Sequence, residues 1–71
     1  MDAKRRIERL GSAIRAERER QNLSQSKLAL MVEIDQSYLS KVELGQIDIK
    51  FSRLCEIAEA LDVEVGDLSD K

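Results

Sequence analysis

Gln36, Ser37, Ser40 and Lys41 carry compact hydrogen-bonding side chains at a spacing that places them on one side of a helix. Base edges in the major groove of duplex DNA match such groups. A Gln amide bonds adenine in bidentate fashion, Ser bonds several bases, and Lys suits guanine or phosphate. Leu39 and Val42 lie on the opposite side of the same stretch, so the polar set points away from a core. Bond-breaking chemistry has little to work with here. Histidine is absent and Cys55 is the only cysteine, which leaves no Ser-His or Cys-His pair, no zinc ligand set and no disulfide. Neither an enzyme nor a cofactor is expected. Cys55 falls on an apolar stripe and reads as a small buried hydrophobe rather than a redox sensor. A lone cysteine suits a reducing cytosol, so a cytoplasmic location is expected.

Caps and periodicity predict the elements that hold this polar face. Ser24 and Asp35 each precede an amphipathic run and read as N-caps whose side-chain oxygens accept from orphan backbone amides. Each is flanked by a hydrophobic staple, Leu23 on Leu28 and Ile34 on Leu39. The spacing predicts helices at about residues 4–21, 25–32, 36–44 and 50–61, then a short helical turn carrying Val63, Val65 and Leu68. Their inward faces are Ile7, Leu10, Gly11 and Ile14; Leu28, Ala29 and Val32; Leu39 and Val42; and Phe51, Leu54, Cys55, Ala58 and Leu61. Asn22 and Gly45 are the expected left-handed stops. Arg18 also falls on the inward stripe of the first helix, and a buried charge needs a partner. Glu43, beside Leu39 and Val42, supplies one, so an Arg18–Glu43 ion pair should clamp the first helix to the third.

At 71 residues and a net charge of −2, the chain has the size of one domain in which burial barely offsets chain entropy. We expect a single domain over 1–71, with its core at about 7–68, a basic N-terminal arm or helix extension at 1–6 and a tail at 69–71. No apolar run approaches the ~20 residues that span a bilayer, and the charged start has no apolar segment behind it. Neither membrane anchor nor signal peptide is expected. Residues 1–23 hold seven bases against four acids, whereas residues 24–71 hold five bases against ten acids. Such a chain turns one end toward phosphates, and its acidic C-terminal half suits a basic protein partner.

The motifs IRxxR from Ile14, LSQxxLA from Leu23, SYLSKVExG from Ser37 and LxxIAxAL from Leu54 occur in that order. Together they resemble the Cro/CI-type (XRE) helix-turn-helix family of phage repressors and small bacterial regulators, over about residues 7–68. The resemblance implies an all-α, compact five-helix, lambda-repressor-like domain whose helices 2 and 3 form the helix-turn-helix. It implies a regulator that binds a (pseudo)palindromic double-stranded operator as a homodimer, with helix 3 in the major groove. Base reading then falls to Gln36, Ser37, Ser40 and Lys41, and phosphate contacts to Arg15, Gln25, Lys27, Tyr38 and Gln46. Gln25 also supports Gln36, and Arg18 and Glu43 stand where the family has a structural ion pair. Dimer contacts are expected from Leu61, Val65 and Leu68. The alternative reading is a protein-interaction module, such as an antitoxin or antirepressor-like partner, with DNA binding secondary or lost.

The chain departs from the family pattern at a few positions. Glu33 stands where the turn usually has glycine, so a non-glycine residue has to adopt a left-handed conformation at a cost of ~1 kcal/mol or more. Leu44, Gln46, Ile47 and Asp48 occupy positions where similar proteins frequently offer basic residues, and Ile49 replaces a common proline. Affinity per monomer should be modest.

Overall fold

The first helix, α1 (Ala3–Arg20), starts where the Asp2 carboxylate accepts from the Arg5 backbone N–H at 2.8 Å. The computed structural model describes residues 2–69, and among them four more helices follow: α2 (Gln25–Met31), α3 (Gln36–Glu43), α4 (Phe51–Ala60) and α5 (Val65–Ser69). No strand occurs among the described residues. Asp70 and Lys71, which make up most of the expected tail, lie outside the described residues, as does Met1.

The first four helices end alike. Asn22, Glu33, Gly45 and Asp62 take φ of 57°, 57°, 75° and 58°. After α1, the N–H groups of Asn22 and Leu23 donate to the Glu19 and Arg18 carbonyls, and the same paired bonds close α2, α3 and α4. At three of these ends the residue following the left-handed one is apolar: Leu23, Ile34 and Val63. Each is half-buried against the core and leads straight into the next helix. A four-residue connection thus recurs at 21–24, 32–35 and 61–64, whereas α3 and α4 are joined by the longer 44–50 segment. Ser24 caps α2 by accepting from the Lys27 N–H at 3.1 Å. Asp35 differs from expectation: its backbone is extended as an N-cap requires, but its carboxylate makes no capping bond. At α5 the Glu64 N–H donates to Asp67 at 2.9 Å, half of a capping box.

The core comprises Ile14 from α1, Leu28, Ala29 and Val32 from α2 and its end, Leu39 and Val42 from α3, Ile49 from the long connection, Leu54, Ile57, Ala58 and Leu61 from α4 and its end, and Leu68 from α5. Several inward assignments are corrected. Phe51 is 69% exposed, Cys55 is only half-buried, and Ile57 is fully buried in their place. The apolar stripe of α4 begins at Leu54, and the core position ahead of it is filled by Ile49, so the first turn of the helix lies beyond the packed layer. Ile7 and Leu10 are half-buried at the outer end of α1. Leu61 at 0% and Leu68 at 3% exposure belong to the monomer's own core, so neither offers surface to a second chain. Of the three expected dimer contacts, only Val65 keeps accessible area.

Backbones of α1 and α3 touch at Gly11. A Cβ there would lie 2.2 Å from the Val42 carbonyl oxygen and 2.9 Å from that of Glu43. Gly11→Ala should therefore lower stability by about 2–3 kcal/mol, because two backbones have to separate. Glu33→Gly should act oppositely and raise stability by about 0.5–1 kcal/mol, by relieving the left-handed strain. Thermal melts followed by circular dichroism check both; a Gly11→Ala melt superimposable on the wild type would exclude the close contact.

Candidate nucleic-acid interface

Packing decides which face of α3 reaches solvent. With Leu39, Val42 and Glu43 buried, Gln36, Ser37 and Lys41 are exposed and Ser40 is half-buried. The tight turn at 32–35 sets α2 against α3, and α1 packs against α3.

The buried centre of this arrangement is ionic. Arg18 and Glu43 retain 8% and 6% exposure, and the guanidinium engages the carboxylate in a fork: Nε donates to Oε2 at 2.8 Å and Nη2 to Oε1 at 2.9 Å. Nη1 of Arg18 donates to the Leu23 carbonyl at 2.9 Å. One side chain thereby ties α1 to α3 and to the α1–α2 turn. The hydrogen bonding of Arg18 to Glu43, opposed by burial and aided by the carboxylate's charge, holds the Arg18 guanidinium above its ordinary pKa. From this centre, hydrogen bonds lead outward. Gln25 Nε2 donates to Glu43 Oε1 at 3.1 Å, and Gln36 Nε2 donates to Gln25 Oε1 at 3.4 Å. Gln25, the first residue of α2, is thus the link between the buried pair and the exposed start of α3.

A cleft of about 260 Å³ opens beside the pair, lined by Arg15, Gln25, Ser40 and Leu44 together with Arg18 and Glu43. Arg15 is exposed and paired with Glu19 at 3.2 Å, one helical turn along α1. The structure therefore brings Arg15, Gln25 and Ser40 to one place, with Gln36 in reach of Gln25. Other expected phosphate contacts lie elsewhere. Lys27 is exposed on the first turn of α2, and Gln46 is exposed just past α3, its N–H on the Lys41 carbonyl. Tyr38 is half-buried and lines a different cleft with Ile34, Asp35, Ile47, Lys50 and Arg53. The last two are cations at the start of α4 that sequence reasoning did not single out.

The basic first helix does not act as one unit. Arg15 faces the α3 cleft and Arg18 is internal, whereas Arg5, Arg9 and Arg20 line a groove that α1 makes with Asp67 and Leu68 of α5. Gln21 was also missed. Its Nε2 donates to the Leu61 carbonyl at 2.7 Å and fastens the end of α1 to the end of α4. Its only sequence signal was a polar residue at a helix end.

Among the described residues no helix is long and apolar enough to cross a membrane. A helix-turn-helix family model matches residues 14–68. An uncharacterised HTH-type transcriptional regulator of Sinorhizobium fredii, y4dL, is 33% identical over 60 residues. That match takes in 84% of this chain but only 31% of the relative, so the chain spans about a third of that protein's length. Among solved structures, the restriction-modification controller protein C.AhdI of Aeromonas hydrophila is 34% identical with a TM-score of 0.85, covering 87% of this chain and 94% of that one. The clp gene regulator ClgR of Corynebacterium glutamicum is 28% identical with a TM-score of 0.89, covering 92% and 83%. A hypothetical transcription factor of Neisseria, NHTF, is 27% identical with a TM-score of 0.84, covering 97% and 80%.

Removing Arg18 leaves the buried Glu43 carboxylate unpaired. Arg18→Ala should lower stability by about 3–5 kcal/mol, read as the midpoint of urea unfolding. An unchanged midpoint would refute the clamp.

Proposed function

This chain belongs to the helix-turn-helix family of DNA-binding transcriptional regulators rather than to any enzyme family, and from that premise we propose that it reads an inverted-repeat operator as a homodimer, with α3 in the major groove. The observation that supports this reading best is the outward face of α3. Gln36, Ser37 and Lys41 are exposed and Ser40 half-exposed, while the rest of the helix is anchored through a buried ion pair. Gln36, Ser37, Ser40 and Lys41 contact base edges, with Gln36 suited to adenine. Arg15, Gln25, Lys27, Tyr38 and Gln46 contact the phosphate backbone and set the register of the helix in the groove. Two copies are required because one module carries few cations at this face; a dimer reads half-sites about one helical turn, ~34 Å, apart. Val65 and the exposed Phe51 are apolar surface that remains for the second copy. The site of action is the cytoplasm.

A second reading, a protein-interaction role, is favoured by one feature. Met31, Glu33, Glu56, Glu59 and Ala60 line an acid-rimmed cleft, and Leu30 nearby in sequence is also exposed, a surface suited to a basic partner.

Sheared DNA from the source genome, incubated with the protein at moderate salt, recovered and sequenced, tests the DNA reading. An enriched inverted repeat is expected. Ser37→Ala and Lys41→Ala should relax the preference by about 1–3 kcal/mol per lost base contact. Arg15→Ala should instead weaken all sequences alike and reduce the slope of log affinity against log salt by about 1. Equal losses on operator and random DNA for every variant would show that α3 is not the reader, and sedimentation as a monomer with and without operator would overturn the dimer.

A further inference from the structure

We propose that the buried carboxylate of Glu43 decides which base α3 reads, by fixing the orientation of the Gln25 amide and through it that of Gln36. This inference deepens the DNA-binding reading above and rests on it. Both oxygens of Glu43 accept from the Arg18 guanidinium, so the carboxylate presents only acceptors to its other neighbours. The end of the Gln25 amide 3.1 Å from Glu43 Oε1 must then be the NH2 end. A flipped amide would set carbonyl oxygen against carboxylate oxygen. Gln25 therefore presents its oxygen toward α3, where Gln36 donates to it at 3.4 Å.

Polarity passes to the base-reading position in the same way. One of the two N–H groups of Gln36 is committed to Gln25, which leaves one N–H donor and the carbonyl oxygen as acceptor. Adenine offers N7 to the donor and its N6 amine to the acceptor, so both bonds form. Guanine offers two acceptors, N7 and O6, and Gln36 has a single donor left. Cytosine and thymine each engage one of the two groups. Without the carboxylate the amides are free to turn over, because an amide's two ends are nearly equal in size. Arg18 and Glu43 are thus positioning residues for the reading of a base neither of them touches. Arg18 takes part because its third donor, on the Leu23 carbonyl, keeps the carboxylate in one place.

The test is selection from a double-stranded DNA library with a randomised core, sequenced after binding to three purified proteins. These are the wild type, Gln25→Met, and the double variant Arg18→Met, Glu43→Leu, which replaces the ion pair by an apolar pair of similar bulk. The wild type should show adenine over guanine by about ten-fold or more at one position in each half-site, the discrimination of one bidentate contact. In both variants that preference should fall to within about three-fold, and in Gln25→Met, where the Arg18–Glu43 fork is intact, preferences at the positions read by Ser37 and Lys41 should persist. A role confined to stability would lower the amount of folded protein and leave the base profile unaltered. An unchanged adenine preference in either folded variant overturns the relay, as does any base other than adenine at that position in the wild type. Should the double variant fail to fold, Gln25→Met, altered at a half-buried residue, decides alone. A folded wild type that enriches no sequence overturns the DNA reading itself, and the relay with it.

Discussion

The position of α3 depends on a buried ion pair set at a point where two helix backbones touch. Gly11 admits the carbonyl oxygens of Val42 and Glu43 against α1, and Arg18, two turns further along the same face, reaches across to Glu43. Neither feature works alone. Without the glycine, a Cβ would push α3 outward and stretch the fork; without the fork, the contact at Gly11 would fix a distance but no rotation. A buried ion pair is a weak source of net stability, because the loss of hydration offsets most of the attraction. Its value lies in direction. Apolar side chains pack at many azimuths, whereas a fork of two N–H···O bonds is satisfied at one, so the pair fixes the rotation of α3 about its axis.

The recurrent four-residue turn complements that clamp. A seven-residue α2 and an eight-residue α3 are too short to persist as isolated helices, where ~12–15 residues are marginal. Their ends must be held from outside. A left-handed residue closes each of them, and between α1 and α2 and between α2 and α3 the apolar residue after it, Leu23 or Ile34, returns to the core ahead of the next helix. The α4–α5 connection is built identically, yet α5 turns Leu68 inward to a buried site. The turn sets an angle between helices; the side chains of the second helix then determine whether that helix faces the core or solvent. Gly45 has a second duty. A Cβ there would lie within 2.7 Å of the Glu8 side chain, so the close of α3 is also a seat for α1.

Local features were legible in the sequence and non-local ones only where chemistry left a single solution. Ser24, Asn22 and Gly45 signal caps and stops within a few residues of themselves, and the helices fall within a residue or so of where the periodicity put them. Arg18 on an apolar stripe demanded an acid, and Glu43 stood on the facing stripe. Periodicity, however, reports a direction around a helix and not how far along it the core extends. That is why Phe51 was placed inside and Ile57 overlooked, and why Leu68, and Leu61 in addition to its inward assignment, were expected at a dimer contact. The contact between Gln25 and Glu43 was equally hidden, since it depends on the angle between α2 and α3. Asp35 shows the same limit at short range: its type favours a cap, but the side-chain bond is not made.

Charge at the interface follows from the same geometry. Between Ser24 and Gly45 the chain carries Lys27 and Lys41 against Glu33, Asp35 and Glu43. Glu43 is neutralised internally by Arg18, so the acids that remain to repel phosphate are the two at the turn. With Lys41 on base edges and Arg15 added, each copy offers two cations, Arg15 and Lys27, to the backbone on the proposed reading. Counterion release scales with that number, so on that reading binding to arbitrary DNA is expected to be weak. Weak background binding improves discrimination, because an operator competes with every other site in the genome and the ratio of affinities matters more than either value. Discrimination then rests on hydrogen bonds to base edges, which require donors and acceptors held in fixed orientation. A module with few cations therefore needs rigid positioning of its polar groups more than a strongly basic one does, and the Arg18–Glu43–Gln25 network places that rigidity directly behind α3.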